Sequence, residues 1–479
     1  MTSSTSKQIL QSLETCLLDR DPVTYGVCPI SAEDFGLFYG KGDTARQLYL
    51  HTATDAELEL LARACVAATF GINQQDVFDE TYRKAGKMDV DAFASKFNLE
   101  RSGILTCIKD DLLDRTNYGR PIQCELYKLN VYGTGGFFKA HKDTPRGANM
   151  FGALVIVFPT KHTGGELKLR HGGKEWTFDS AKELADVTEP SIGYVAFFSD
   201  VEHEVAVVQS GYRVTLTYNL YFGETVSRPN TMINAAGNHE HTFKTGLEQL
   251  LADPAFLPKG GLIGFGLQHE YPVNAQTELR ILMENLKGSD ALVWRICQQL
   301  SLPIQPKFLT ETKEEEEDDD DEEMREDPDP DAKENAVNED GKGDSVKDGQ
   351  SNREGQASCY KPNVYAVLTD HVVDLSTLCH VDSAAYEMSK KPGTLVLPHS
   401  SGKARQRWNA KKQEMVKYSV NIQWITASTT YNKVKTEYIA FGNEASLGYL
   451  YGTVCLVAKI GPPGKRIKPS DASGSGKTG

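Results

Sequence analysis

Two histidines, one aspartate and one arginine in this chain have types and spacings that can do chemistry. His141-Lys142-Asp143 places an imidazole and a carboxylate two residues apart, His203 follows 62 residues later, and Arg213 stands ten residues beyond it. Two imidazoles and one carboxylate can occupy one face of a six-coordinate ferrous ion, leaving positions open for an oxidisable co-substrate and O2. The two-residue step suits a strand end, where alternate side chains point the same way. The distal histidine must then return on another strand to the same mouth. A guanidinium can hold a carboxylate through paired hydrogen bonds, so Arg213 is suited to fixing one end of a dicarboxylate.

The elements that must position these residues are β-rich. From Ile122 to Tyr221 the chain reads as short strands: ELYKLNVY, FGALVIVF, GELKLR, EWTFD, GYVAFF, HEVAVV and YRVTLTYNLY, with Gly, Pro, Asp and Thr between them. Seven short strands in about a hundred residues predict a sandwich or barrel. Alternation along the last strand puts Arg213, Thr215, Thr217 and Asn219 on one face and Val214, Leu216, Tyr218 and Leu220 on the other. A polar inner face beside an apolar packing face fits a barrel with a wet pocket.

At these residues the chain resembles the 2-oxoglutarate- and Fe(II)-dependent dioxygenases, of the type with a prolyl 4-hydroxylase catalytic domain. The family pattern YGxGGxYxxHxD is matched by Tyr132-Gly133-Thr134-Gly135-Gly136 running to His141 and Asp143. The distal histidine, with a glycine eight residues on and a basic residue ten on, is matched by His203, Gly211 and Arg213, and a Gly-Gly before a strand by Gly164-Gly165. The resemblance covers about residues 121–221. It implies a double-stranded β-helix (jelly-roll) barrel buttressed by helices, an α+β architecture. It implies His141, Asp143 and His203 as iron ligands and Arg213 as the anchor of the distal carboxylate of 2-oxoglutarate, assisted by Tyr132 and Thr215. The cofactors implied are Fe(II), 2-oxoglutarate and O2, with ascorbate as a reductant. The implied reaction releases succinate and CO2 while hydroxylating a protein side chain, without a nucleophile or general base from the protein. Three positions depart from the pattern: Arg213 stands where collagen-type members carry lysine, Phe138 replaces the second tyrosine, and Leu167 replaces a threonine that contacts the co-substrate.

Other readings of the same sequence are a small-molecule hydroxylase, a nucleic-acid demethylase, and a non-catalytic scaffold. Demethylases on this barrel carry a second arginine six residues after the first, and position 219 is Asn. The charge also opposes nucleic acid. The 479-residue chain has a net charge of −14, but Glu311 to Asp340 holds 18 acidic residues against Lys313, Arg325 and Lys333. That segment carries −15, so the remainder is about +1, and no basic body remains. Glu314 to Glu323 is an unbroken carboxylate run, and residues 311–357 are expected to be a disordered acidic linker that could dock a basic protein.

The expected organisation is a mainly helical support region over 1–120, the dioxygenase core over 121–225, a mixed flanking region over 226–310, the linker, an α/β region over 358–462 and a flexible tail over 463–479. Residues 55–70 and 90–98 are expected as helices, the first with an apolar stripe of Leu58, Leu60, Leu61 and Cys65. Hydrophobic residues make up 39% of the chain, enough for a sizeable core. No apolar run reaches the roughly 18 residues of a membrane span. Nine scattered cysteines without a CxxC pair predict free thiols and an intracellular, soluble protein. Three other motifs carry no chemistry. His380-Val-Asp382 has its next histidine at His399, too close for intervening strands. The terminal GSGKTG has no helix after it. His239 and His241 lie in a polar stretch and read as surface histidines.

Overall fold

The computed structural model describes residues 4–18, 20–72, 75–114, 120–224, 238–313, 364–373, 392–398, 402–409, 412–428, 432–433 and 448–466. Two antiparallel sheets form the barrel. The major sheet runs Val23–Pro29, Ser191–Phe198, Met150–Val157, Arg213–Phe222, Ile122–Tyr132, Gly86–Asp89 and Val66–Ala67. The minor sheet runs Lys174–Phe178, Leu167–His171, Glu202–Val205, Phe137–His141 and Arg83–Lys84. This is the double-stranded β-helix: Ile122–Tyr132, Phe137–His141 and Met150–Val157 pass in turn between the two sheets, as do Ser191–Phe198, Glu202–Val205 and Arg213–Phe222.

The runs that read as strands in the sequence are strands here, except that HEVAVV breaks at Ala206–Val207 into Glu202–Val205 of the minor sheet and Val208–Gly211, which pairs with His162–Gly164. The apolar segment FGALVIVF, all but Phe158, lies in Met150–Val157, an interior strand of the major sheet flanked by Ser191–Phe198 and Arg213–Phe222. Phe151, Leu154, Ile156, Val195, Leu216 and Leu220 are fully enclosed. A strand buried on both faces requires such a continuous apolar run rather than alternation.

Residues 1–120 differ from the expectation of a mainly helical support. Among the described residues three α-helices occur there, Ser4–Leu18, Asp55–Ala64 and Ile104–Leu112, but short strands separate them. Residues 90–98 hold no helix: Phe93–Ser95 pairs with Gly36–Tyr39, because the pairing satisfies backbone groups that a three-residue apolar patch could not bury as a helix. Helix Asp55–Ala64 begins at a Thr54/Glu57 capping box. Its buried face is Leu58 and Leu61, while Leu60 is exposed. Residues two apart on a helix diverge by about 200°, so Leu60 cannot share that stripe. This helix packs on Ile122–Tyr132, and Ile104–Leu112 packs on Val23–Pro29 and Ser191–Phe198. The first helix lies elsewhere: its Leu13, Cys16 and Leu17 join the second core.

That second core belongs to the C-terminal half. Its seven-stranded sheet includes Leu395–Val396, Val364–Thr369, Ile304–Lys313, Val454–Ile460, Gly261–Gly266 and Ile422–Thr426, with Asn432–Lys433 alongside Ile304–Lys313. Strands from before and after the acidic segment therefore alternate in one sheet. Residues 311–313 complete a strand, and 314–357 of the expected linker lie outside the described residues. His380, Asp382, His399 and the terminal GSGKTG also lie outside them. His239 is exposed at the start of helix Asn238–Ala252. The seven cysteines among the described residues are free thiols, and no helix there is long and apolar enough to cross a membrane.

Gly211 sits at φ +72°, and a Cβ there would lie 2.1 Å from the carbonyl of Lys161. Gly172, at φ +55° in a turn, faces open space. Gly211→Ala is expected to destabilise the fold by more than about 2 kcal/mol, and Gly172→Ala by about 1 kcal/mol from backbone strain alone. Thermal melting of the two variants checks the ranking.

Candidate metal centre

The strand register brings the two histidines together. Phe137–His141 and Glu202–Val205 are neighbours in the minor sheet, and His141 is the direct partner of His203. Their ring centroids are 4.2 Å apart. Asp143 follows where the first strand ends, with its Oδ1 3.8 Å from Nε2 of His203. One donor atom from each of the three lies within 4.8 Å of the others, and all three side chains are buried.

The imidazoles are oriented as metal ligands require. Nδ1 of His141 donates to the carbonyl of Lys139 at 2.8 Å, and Nδ1 of His203 donates to that of Val201 at 3.1 Å. A carbonyl only accepts, so each Nδ1 carries a proton and each Nε2 is the nitrogen left to face an ion. Burial, reinforced by the neighbouring His203, holds His141 well below the usual histidine range and therefore neutral. Burial raises the carboxyl of Asp143, against the opposing pull of His203, Arg146 and Arg83.

Arg213 opens the last long strand of the major sheet opposite Tyr132. It is 1% exposed. Its guanidinium carbon is 5.7 Å from the Tyr132 ring centroid. Burial pushes it down to about 10, against the raising influence of Tyr132 and Glu166, so it remains charged at neutral pH. Its Nε and Nη2 have no hydrogen-bond partner among the described residues. A buried guanidinium with two unused donors calls for an anion. Space for it is kept by Gly165, at φ +76°, where a Cβ would press on Arg213 Cδ at 3.0 Å.

One cavity joins these groups. His141, Asp143, His203, Arg213, Tyr132 and Thr215 all line it. Thr217 lines it too, whereas Asn219 turns away and donates to Glu125 at 3.1 Å. Phe138 and Leu167, two departures from the family pattern, are also in its wall. The Phe138 ring stacks on His141 with centroids 3.6 Å apart. The donor set and the vacant guanidinium edge fit a divalent ion with a carboxylate-bearing co-substrate.

Three polar residues of this cavity were not singled out from sequence. Lys128 and Asn130 precede Tyr132 at two-residue steps, so alternation along ELYKLNVY contained them. Arg83 comes from outside the β-rich segment and no local pattern marks it. It is buried, donates from Nη1 to the Thr69 carbonyl (2.7 Å) and from Nη2 to Asn130 (2.9 Å), and lies 4.3 Å from the Phe138 ring.

Residues 127–221 match the model of the 2OG-Fe(II) oxygenase superfamily. Among solved structures, a Pseudomonas putida prolyl-4-hydroxylase is 17% identical over 45% of this chain and 100% of its own, with a TM-score of 0.28. A Trichoplax adhaerens prolyl hydroxylase, in complex with a hypoxia inducible factor oxygen degradation domain peptide fragment, is 15% identical over 45% of this chain and 90% of its own, with a TM-score of 0.26. A viral collagen prolyl hydroxylase from Paramecium Bursaria Chlorella virus-1 is 12% identical over 36% of this chain and 92% of its own, with a TM-score of 0.21. No curated protein matches the chain.

Because burial raises Asp143, its ionised form costs the metal-free fold stability at neutral pH. Asp143→Asn is expected to raise the melting temperature of the metal-free protein. Co(II) is expected to raise it for the wild type and not for Asp143→Asn. Melting curves with and without Co(II) test both signs.

Proposed function

We propose, from the membership of residues 127–221 in the 2OG-Fe(II) oxygenase superfamily, that this chain is an Fe(II)- and 2-oxoglutarate-dependent dioxygenase acting on a protein side chain. The observation that carries this reading is the meeting of His141, Asp143 and His203 with the unpartnered edge of Arg213 in one cavity. His141, His203 and Asp143 hold the ion. Arg213 holds the far carboxylate of 2-oxoglutarate, with Tyr132 and Thr215 beside it.

Ferrous iron with 2-oxoglutarate and O2 supplies the oxidising chemistry when bound, coupling release of succinate and CO2 to hydroxylation of the substrate. The protein provides geometry and enclosure. The carbonyls of Lys139 and Val201 keep both histidines in the Nδ1-protonated tautomer. Val155, Leu167, Phe197 and Val205 in the cavity wall exclude water from the reacting atoms. No residue of the cavity is required as a nucleophile.

A peptide substrate is favoured over a small molecule by an outer groove lined by Phe78, Glu80, Lys84, Gly133, Thr134 and Gly136. Arg83 lines both this groove and the metal cavity, so an extended chain in the groove would run along the cavity wall.

With Fe(II), 2-oxoglutarate and ascorbate, a peptide panel is expected to yield succinate in air and none anaerobically, with a 16 Da gain on one peptide. Full turnover by His141→Ala would overturn the reading. Arg213→Gln removes a charged paired contact worth about 1.5–3 kcal/mol, so the KM for 2-oxoglutarate is expected to rise roughly tenfold to a hundredfold. Initial rates against 2-oxoglutarate concentration measure it.

A further inference from the structure

We propose that the C-terminal half completes the metal centre, with Tyr451 as a positioning residue that clamps the two segments bearing Asp143 and His203. This inference rests on the metal centre proposed above.

The minor sheet pairs the two histidines directly, but Asp143 lies two residues beyond the last paired position. Sheet register alone does not set where that carboxylate sits relative to His203. The Tyr451 hydroxyl lies 2.6 Å from the carbonyl of Asp143 and 2.7 Å from the carbonyl of Ser199. Its single proton is shared between two converging backbone oxygens. One belongs to a metal-binding residue, the other to the turn that leads into the His203 strand. Tyr451 comes from the short strand Leu450–Gly452, more than 220 residues beyond the barrel.

The next residue on each segment is held from the same side. Asp200 is fully buried, and its carboxylate accepts from Lys287 Nζ at 2.8 Å, from His269 Nδ1 at 3.1 Å and from the Glu270 amide at 3.0 Å. Lys287 also donates to Ser199 Oγ at 3.2 Å and to the Glu270 carbonyl at 2.9 Å, which uses all three ammonium protons. Lys142, between the first two ligands, pairs with Glu270 at 2.5 Å. Segment 268–271 is itself fixed, because Asp290 accepts from the amides of Gln268 and His269 and from the Tyr271 hydroxyl.

His171, Asp200 and His269 also bring three donor atoms within 4.8 Å of one another. They repeat the residue types of the proposed centre, but the Lys287 ammonium already supplies the positive charge at that carboxylate. The cluster is therefore an ion-pair latch between the two halves of the protein. The latch holds the halves together, and Tyr451 converts that contact into a set distance between Asp143 and His203.

Co(II) titration of the full chain, followed by calorimetry and by visible absorption, tests the clamp. The wild type is expected to bind one ion, lost in His141→Ala. Tyr451→Phe, which removes only the hydroxyl, is expected to bind roughly tenfold to a hundredfold more weakly, as loss of an outer contact to a ligand does, with a shifted absorption band. Thr369→Val removes a buried hydroxyl of the C-terminal half that donates to the His371 carbonyl and takes no part in the latch, and it is expected to keep wild-type affinity and spectrum. Lys142→Met, at a half-exposed position that folding tolerates, is expected to shift the band in the same direction by less, and serves if Tyr451→Phe does not fold. Wild-type affinity and spectrum in Tyr451→Phe, or in Lys142→Met where that variant serves, would overturn the clamp. Equal weakening by Thr369→Val would overturn it by showing general loosening. A stoichiometry of two would overturn the latch reading. Wild-type binding that His141→Ala leaves intact would overturn the centre itself and the clamp with it.

Discussion

The antiparallel register that sets His141 opposite His203 is the constraint on which the rest of the site depends. Directly opposed residues on neighbouring strands have Cβ atoms about 5 Å apart, which is the separation two imidazoles need to share an ion. A slip of one residue would turn either ring to the other face of the sheet. The register is secured by what lies around it. Leu167–His171 pairs on the other side of Glu202–Val205, and Arg83–Lys84 pairs on the other side of Phe137–His141. The strands carrying the chemistry are thus interior to the minor sheet, with a neighbour on each side.

Against that frame the cavity has an unusual electrostatic composition for a sandwich interior. The carboxyl of Asp143 and the guanidinium of Arg213 are both buried, and each shifts toward its neutral form because burial disfavours charge. Hydrophobic packing elsewhere must offset that cost. The major sheet supplies it through Phe151, Leu154, Ile156, Val195 and Leu216, all fully enclosed. A polar site that is expensive in isolation persists because the barrel around it is apolar and closely packed.

The C-terminal half contributes differently. Its own core holds the first helix, the helices after the barrel and a mixed sheet. Its contact with the barrel is polar and buried, centred on Asp200, where Lys287 and His269 outweigh burial and keep the carboxyl well below its usual range. Such a contact is demanding in geometry, since removing one partner leaves a buried charge uncompensated. It therefore fixes orientation more sharply than an apolar face would, and it lies three residues from His203.

Local information was enough for some of this protein. Alternation and apolar runs marked the barrel strands, and Arg213, Thr215 and Thr217 do share the polar face that period two assigned them. The spacing of His141, Asp143, His203 and Arg213 marked residues that the fold brings into one cavity. Asn219 left that face through a contact with Glu125 that no spacing encodes, and Leu60 falls off the buried stripe because it stands about 200° around the helix from Leu58. Arg83, Tyr451, Lys287 and His269 had no local mark at all. Each acts on the site through a contact more than forty residues away in sequence: Arg83 within the barrel, to Asn130, and the other three across the contact between the two cores. Residue types and their periodicity determined which strand faces are polar and which donors can bind an ion. Tertiary packing alone decided which distant side chains hold those donors in place, because a hydrogen bond across a domain contact depends on positions in space that chain spacing does not carry.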